Sequence, residues 1–330
     1  MKRRFVNLVT QNWTEGVYSV RRIDPYHHFF YGSADAAAAE KTEPFPAMRI
    51  KELPTPCMNL SAAGGHGGTL DMLALYSPRP TGDGRIVYTD MMGNADGHVH
   101  TALSRLNPCA CPSRNLTRTK KTACMSWTRT PGRAMMGASS HRSAFITSFT
   151  TMVDGDGCST IYISCAGAGG VDVGTYSYET PRHEYREPRG WRHVGEWMLP
   201  FRGRAHYAPE FNLWFGFSAS SPNDHLCATD LSAMDGGRQP SEPTVWEDLN
   251  PPAQGEPWLP KQLELLQLGG RKFLIAKTFT EGERGGYFSV LTGVEMMACA
   301  AGDHRQQTLE MVKHKCARFV FTDEHIERVL

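Results

Sequence analysis

Apolar and polar residues alternate with a period of two over most of this chain, the pattern of strands with one buried face. Phe5 to Tyr31 alternates through Val17-Tyr-Ser-Val20 and Arg21-Arg-Ile23 and reads as a short hairpin. Ala34 to Lys41 is alanine-rich and is expected as a short helix or a solvated link. Glu43 to Gly68 carries four prolines and ends in Gly64-Gly-His-Gly-Gly68, the composition of a loop. Leu70 to Tyr76 and Arg85 to Asp90 are predicted strands joined by the turn Thr81-Gly-Asp-Gly84. Between Arg105 and Arg142 the alternation stops, and that stretch is basic with no acidic residue. It resumes at Ala144 to Thr150, turns at Asp154-Gly-Asp-Gly157 and continues through Thr160 to Ser164. From there strands recur every roughly eight to twelve residues, as all-β folds require. Further predicted strands are Gln262–Leu268, Lys272–Lys277, Tyr287–Leu291 and Ala317–Phe321; Asp323–Leu330 is expected as a short helix capped by Thr322 or Asp323.

A longer repeat overlies this alternation. Gly174-Thr-Tyr-Ser-Tyr-Glu-Thr180 leads into Gly190-Trp-Arg-His-Val-Gly-Glu-Trp197, and His225-Leu-Cys-Ala-Thr-Asp-Leu231 leads into Thr244-Val-Trp-Glu-Asp-Leu249. Trp191 and Trp246 recur at about the fifty-residue period of kelch-like blades. A unit of this kind cannot bury its apolar face alone, so units stack. Trp191, Trp197, Trp214 and Trp246 are the structural markers of the repeat, their rings filling space between sheets. Asp90 and Asp230 follow strand ends and are expected to accept backbone N–H bonds in the next turn. The expected fold is all-β, a kelch-like propeller, complete or incomplete, of about five to six antiparallel blades. Residues 1–60 form an N-terminal hairpin with a Pro/Ala-rich linker, and 61–330 the propeller-like domain, with 105–142 as its anomalous segment.

The formal net charge of +1 gives no whole-protein field toward nucleic acid or an anionic membrane. Nine cysteines lack framework spacing, and no signal-length apolar run precedes them. They are read as reduced, mostly buried thiols of an intracellular protein, cytoplasmic or nuclear. No run approaches membrane-helix length.

Several segments resemble a large plant family expanded in the cereal grasses, the domain-of-unknown-function family numbered 1618. They are Arg3-Arg-Phe-Val-Asn-Leu-Val9, Gly174-Thr-Tyr-Ser-Tyr178, Gly195-Glu-Trp-Met-Leu-Pro-Phe201, Pro209-Glu-Phe-Asn-Leu-Trp-Phe-Gly216, Leu226-Cys-Ala-Thr-Asp-Leu231 and Met311-Val-Lys-His-Lys315. The resemblance is dense over residues 144–330. It implies a fold related to kelch and F-box-associated β domains and implies no activity. Arg105 to Arg142, with Cys109-Ala-Cys111 and Thr117-Arg-Thr-Lys-Lys121, departs from the family and looks like sequence from an altered reading frame. An F-box adaptor needs a three-helix module, and residues 1–60 read as strands and prolines instead.

Chemical motifs fail on context. Gly64-Gly-His-Gly-Gly68 lacks the Lys-Ser/Thr pair of a phosphate loop, and Gly167-Ala-Gly-Gly170 is followed by a strand rather than a helix. Asp154-Gly-Asp-Gly157 begins like a calcium loop, but Cys158, Ser159 and Cys165 occupy later ligand and glycine positions. Cys109, Cys111, Cys124 and His141 lack zinc-knuckle spacing, and His98-x-His100 has no third ligand in a motif. His183-Glu-Tyr-Arg-Glu187 lacks the second histidine of a zincin, and there is no Gly-x-Ser-x-Gly elbow. Arg114 to Arg133 is basic with one aromatic, Trp127, and reads as a solvated loop rather than a nucleic-acid module. The expectation is a non-catalytic binding or scaffold protein with a protein partner, with no cofactor, metal, specific nucleic acid or membrane. Its rivals are a propeller-type enzyme acting on a sugar or small metabolite and a degenerate paralogue without preserved function.

Overall fold

The structure, a computed structural model, describes residues 3–40, 48–61, 69–75, 85–91, 99–105, 133–134, 144–153, 159–167, 174–179, 191–220, 225–246, 258–282, 285–300 and 307–330. The described chain is predominantly β. It opens with β1 (Val6–Asn12) and β2 (Val17–Ile23), an antiparallel hairpin whose turn contains Gly16 at φ 66°. Two short helices follow, α1 (Pro25–Phe29) and α2 (Ala34–Ala39), then β3 (Met48–Ile50) and β4 (Pro56–Ser61). A three-stranded antiparallel meander comprises β5 (Thr69–Leu75), β6 (Arg85–Met91) and β7 (Val99–Arg105). The short β8 (Arg133–Ala134) pairs with β9 (Ala144–Val153), which continues through β10 (Ser159–Gly167), β11 (Gly174–Glu179) and β12 (Arg192–Gly195). Next come β13 (Phe201–Ala208), β14 (Leu213–Ser218), β15 (Leu226–Thr229) and β16 (Thr244–Trp246), joined to β9 by a short parallel contact at Gly203↔Ser148. The last meander is β17 (Trp258–Gly269), β18 (Lys272–Glu281), β19 (Tyr287–Ala300) and β20 (Gln307–Val320), with β3 added parallel to β20.

The chain ends in β21 (Glu324–Val329), which pairs antiparallel with β1 to complete the sheet β21-β1-β2-β4. Here the expected C-terminal helix is corrected. Ile326 and Val329 are spaced three apart, which mimics a helical face. A register shift opposite Val9/Thr10 leaves an extra residue in β21, so both side chains reach the same core. Residues 1–60 are thus tied into the rest of the chain: the strands before residue 61 pair with β21 and β20, far beyond it in sequence.

Successive sheets bury both faces against one another. One core joins the terminal sheet (Val6, Leu8, Ile326) to the β17–β20 sheet (Leu268, Leu274, Leu291, Phe319), with Phe29 and Phe30 of the α1 region between them. The opposite face of β17–β20 (Phe273, Ile275, Val294) packs on Phe215, Phe217 and Leu226. The far side of that sheet (Phe201, Trp214, Cys227) packs on Tyr162 of β10. Each such strand therefore alternates between two cores rather than between core and water, which explains the fully buried runs in β14 and β15. Most of Arg105–Arg142, and the stretches Gly64–Gly68, Asp154–Gly157 and 168–173, lie outside the described residues.

Candidate functional site

The site grows from α1 and its seat. Asp24 accepts the backbone N–H groups of Tyr26 (3.0 Å) and His27 (3.3 Å), and Pro25 occupies the first helical turn, where its missing donor costs nothing. The helix rests on β19 at Gly293, where a Cβ would overlap the carbonyl oxygen of Phe29. With that close approach Phe29 and Phe30 enter the core, and the Tyr26 hydroxyl donates to the Leu268 carbonyl at 3.1 Å. The chain then turns through Tyr31 and Gly32, and Ser33 Oγ caps α2 by accepting the Ala36 N–H. Tyr26, Phe30, Tyr31, Gly32 and Lys272 line a half-open hollow of about 340 Å³.

Beneath the aromatic loop lies a buried charged group. Lys272 and Glu295 are direct cross-strand partners, and their side chains meet at 2.6 Å. His314 joins them because β20 carries one extra residue opposite Thr292/Val294. That bulge resets the strand's alternation and brings His314 to the face that α1 covers. The Tyr31 N–H donates to His314 Nδ1 at 3.2 Å, so the proton sits on Nε2, 3.2 Å from Glu295 Oε2. Burial, and then the Lys272 ammonium, push the His314 pKa down to about 4, against the opposing pull of Glu295. The imidazole is therefore neutral at physiological pH. The Lys272 ammonium also lies 4.7 Å from the Phe30 ring centroid, a cation–π contact. Both nitrogens of His314 are engaged and Lys272 is paired, so the group braces the loop rather than offering a free base or nucleophile. What faces the hollow is aromatic surface and one ammonium.

A second cluster of titratable groups lies where β21 meets β17. Glu264 accepts the Val329 N–H (3.0 Å), Gln262 (2.9 Å) and Arg328 (3.4 Å), while burial raises its pKa. Nearby, His206 of β13 is driven down to about 3 by burial, then by the charges of Arg204 and Arg3. Arg21 reaches across from β2 to Glu324 at 3.1 Å. These contacts hold the last strand in place and leave Glu264 fully bonded.

The sequence markers are placed as follows. Trp214 is buried in β14, its indole N–H without a partner among the described residues. Trp246 is half-buried in β16, stacks on Phe215 (6.1 Å, 12°) and donates to the Leu309 carbonyl at 3.3 Å. Trp191 precedes β12 and meets Tyr178 at 5.4 Å; Trp197 covers Gly195, where no Cβ fits. Asp230 accepts the N–H of Ser232 at 2.8 Å and its hydroxyl at 2.9 Å. Asp90 falls within β6, and its side chain lies outside the described residues, as do those of Cys109, Cys111, Cys124, His141, His98 and His100. Among the described residues no three His, Cys, Asp or Glu side chains gather for a metal, and burial holds the thiols of Cys165, Cys227 and Cys316 up at about 11, 12 and 12. Trp197, Trp214 and Trp246 contribute to cores between sheets, and none of the described markers lines the hollow. The residues that do were not singled out by sequence; Asp24-Pro25, an N-cap followed by a first-turn proline, was the available signal for α1.

Among the described residues, no helix is long and apolar enough to cross a membrane. No curated protein and no solved structure matches the chain. A family described as a protein of unknown function, DUF1668, matches residues 3–103 and 93–319. The resemblance had implied an uncharacterised-domain family under the number 1618; on this match, the chain belongs to the family of proteins of unknown function numbered 1668.

Proposed function

We propose that this chain is a non-catalytic binding protein whose sheets form a kelch-like, propeller-type stack, and that it engages a protein partner through the aromatic hollow at α1. The ring-like reading is supported by the parallel contact of β9 with β13, by the packing of β17 on both β13 and β21, and by the last strand completing the first sheet. The observation that carries the binding reading is the closed group under the hollow. Lys272, Glu295 and His314 satisfy one another, leaving the partly exposed Tyr26 and Tyr31 as contact surface above the buried Phe30. Aromatic side chains at a concave, rigidly backed position are what protein contacts draw on.

Photo-cross-linking tests this. Benzoylphenylalanine at position 31 is expected to give discrete protein adducts in cells expressing the chain, lost when Gly293→Val displaces α1. The same probe in place of Val153, an apolar residue 67% exposed on β9, is expected to give none. Equal adducts from both positions, or a bound small molecule that the chain converts, would count against the reading.

A further inference from the structure

We propose that Arg49, Lys51, Lys315 and His28 form a docking edge for an extended, carboxylate-rich segment of a partner protein, laid along β3 beside Tyr31. The proposal rests on the binding reading above and names the chemistry of the partner.

The edge is built by strand geometry. β3 ends its sheet among the described residues and is held to β20 in parallel, with Ala317 opposite Arg49 and the Lys51 N–H donating to the Arg318 carbonyl at 2.9 Å. With a side-chain period of two, Arg49 and Lys51 share the face of Ala317, the face that α1 covers. There Lys51 Nζ lies 3.4 Å from His28 Nδ1, and the Lys315 ammonium sits 4.8 Å from the Tyr31 ring centroid. Burial, and then the positive charges of Lys315 and Arg49, hold the Lys51 pKa below the ordinary lysine value. Asp24 is the carboxylate that acts on His28, and it is engaged in capping α1.

Four other cations of the described chain carry a counter-charge. Arg21, Lys272, Arg318 and Arg328 each meet a carboxylate. Among the described residues Arg49, Lys51 and Lys315 form no ion pair. Like charges brought together without a counter-charge cost free energy that an anionic ligand recovers.

The edge strand selects a peptide over a nucleic acid. Ile50 is 73% exposed between the two cations, so the edge offers main-chain groups, one apolar contact and flanking positive charge. An added strand of alternating acidic and apolar residues matches all three. Lysines on an edge also discourage pairing with a second copy, which reserves the edge for a partner carrying compensating charge. A nucleic-acid groove needs a row of stacking aromatics, and the Tyr31 ring here already carries an ammonium.

Fluorescence anisotropy with the full chain tests the proposal, using a short labelled peptide of alternating glutamate and valine. A lysine–valine peptide and a single-stranded oligonucleotide serve as comparators. Binding of the glutamate–valine peptide is expected, weakening with salt and by about tenfold in the Lys51→Ala/Lys315→Ala double variant. Lys261→Ala, at an exposed cation on β17, is expected to leave it unchanged. Tighter binding of the oligonucleotide, or an unchanged affinity in the double variant, would overturn the proposal. Absence of peptide binding with cross-linking at position 31 retained removes the acidic partner but leaves the binding reading. Loss of both removes both.

Discussion

The seat of α1 can be tested by adding one carbon. Gly293→Ala places a Cβ against the Phe29 carbonyl, overlapping its oxygen and lying 3.0 Å from its carbon and 3.1 Å from the Phe29 Cβ. The obstructing atoms are backbone, so no side-chain rotation relieves the overlap. Position 293 lies in extended backbone within β19, so alanine itself fits and gains about 0.4–1 kcal/mol by restricting the unfolded chain. Against this, overpacking that moves α1 slightly costs about 1–3 kcal/mol. Gly293→Val, which forbids a small retreat, is expected to lift the helix. That exposes Phe29 and Phe30, now 0% and 4% accessible, at about 1.5–3 kcal/mol each. Urea unfolding followed by tryptophan fluorescence is expected to show lower midpoints in the order wild type, Ala, Val, with unchanged slope. Gly32→Ala, where a Cβ meets nothing within 4 Å, is the control and is expected within about 0.5 kcal/mol of wild type. A Gly293→Val protein as stable as wild type would refute the close approach that positions the hollow.

Acid is expected to destabilise the fold through its buried imidazoles. His206 and His314 have folded pKa values, about 3 and about 4, below the ordinary 6.5. Their contribution is complete above about pH 6.5 and is lost at about 1.4 kcal/mol per pH unit per histidine as pH falls toward the folded values. Melting temperatures recorded across that window are expected to fall, and less steeply in His206→Asn; a flat profile contradicts the assignment. Lys272→Met alone is expected to cost about 3 kcal/mol by leaving the buried Glu295 carboxylate with the His314 N–H but no counter-charge, and adding Glu295→Gln to recover most of it. A double-mutant cycle in urea measures this, and simple additivity of the two changes would show that the pair is not coupled. Removing residues 323–330 strips β21 from β1 and is expected to abolish cooperative unfolding; a truncated chain that still melts sharply would show the last strand to be an appendage.

The strands themselves were legible because alternation is local. Lys272 to Lys277 and Thr160 to Ser164 lie inside observed strands, whereas the proline-rich Glu43 to Gly68, expected as a loop, carries β3 and β4, because those strands are made by pairing with β20 and β2. The small helix α2 was likewise within reach, since an alanine run helps fix it regardless of what it touches. Trp214 could be nominated as a core residue from size alone.

Contacts between distant segments decided the rest. Glu324 to Val329 carries apolar residues at helical spacing, and only pairing with β1, more than three hundred residues earlier, makes it a strand. The hollow depends on Lys272, Glu295 and His314 arriving from three strands, with a bulge in β20 bringing the histidine to the α1 face. Alternation read along one strand cannot reveal a bulge, because the extra residue is defined by its partner. In the same way, nothing around Gly293 or Lys51 in sequence announces the helix that rests on one or the cations that surround the other. Local pattern determined which segments are extended and which residues fill cores; tertiary packing decided which faces meet, and so where the hollow at α1 lies.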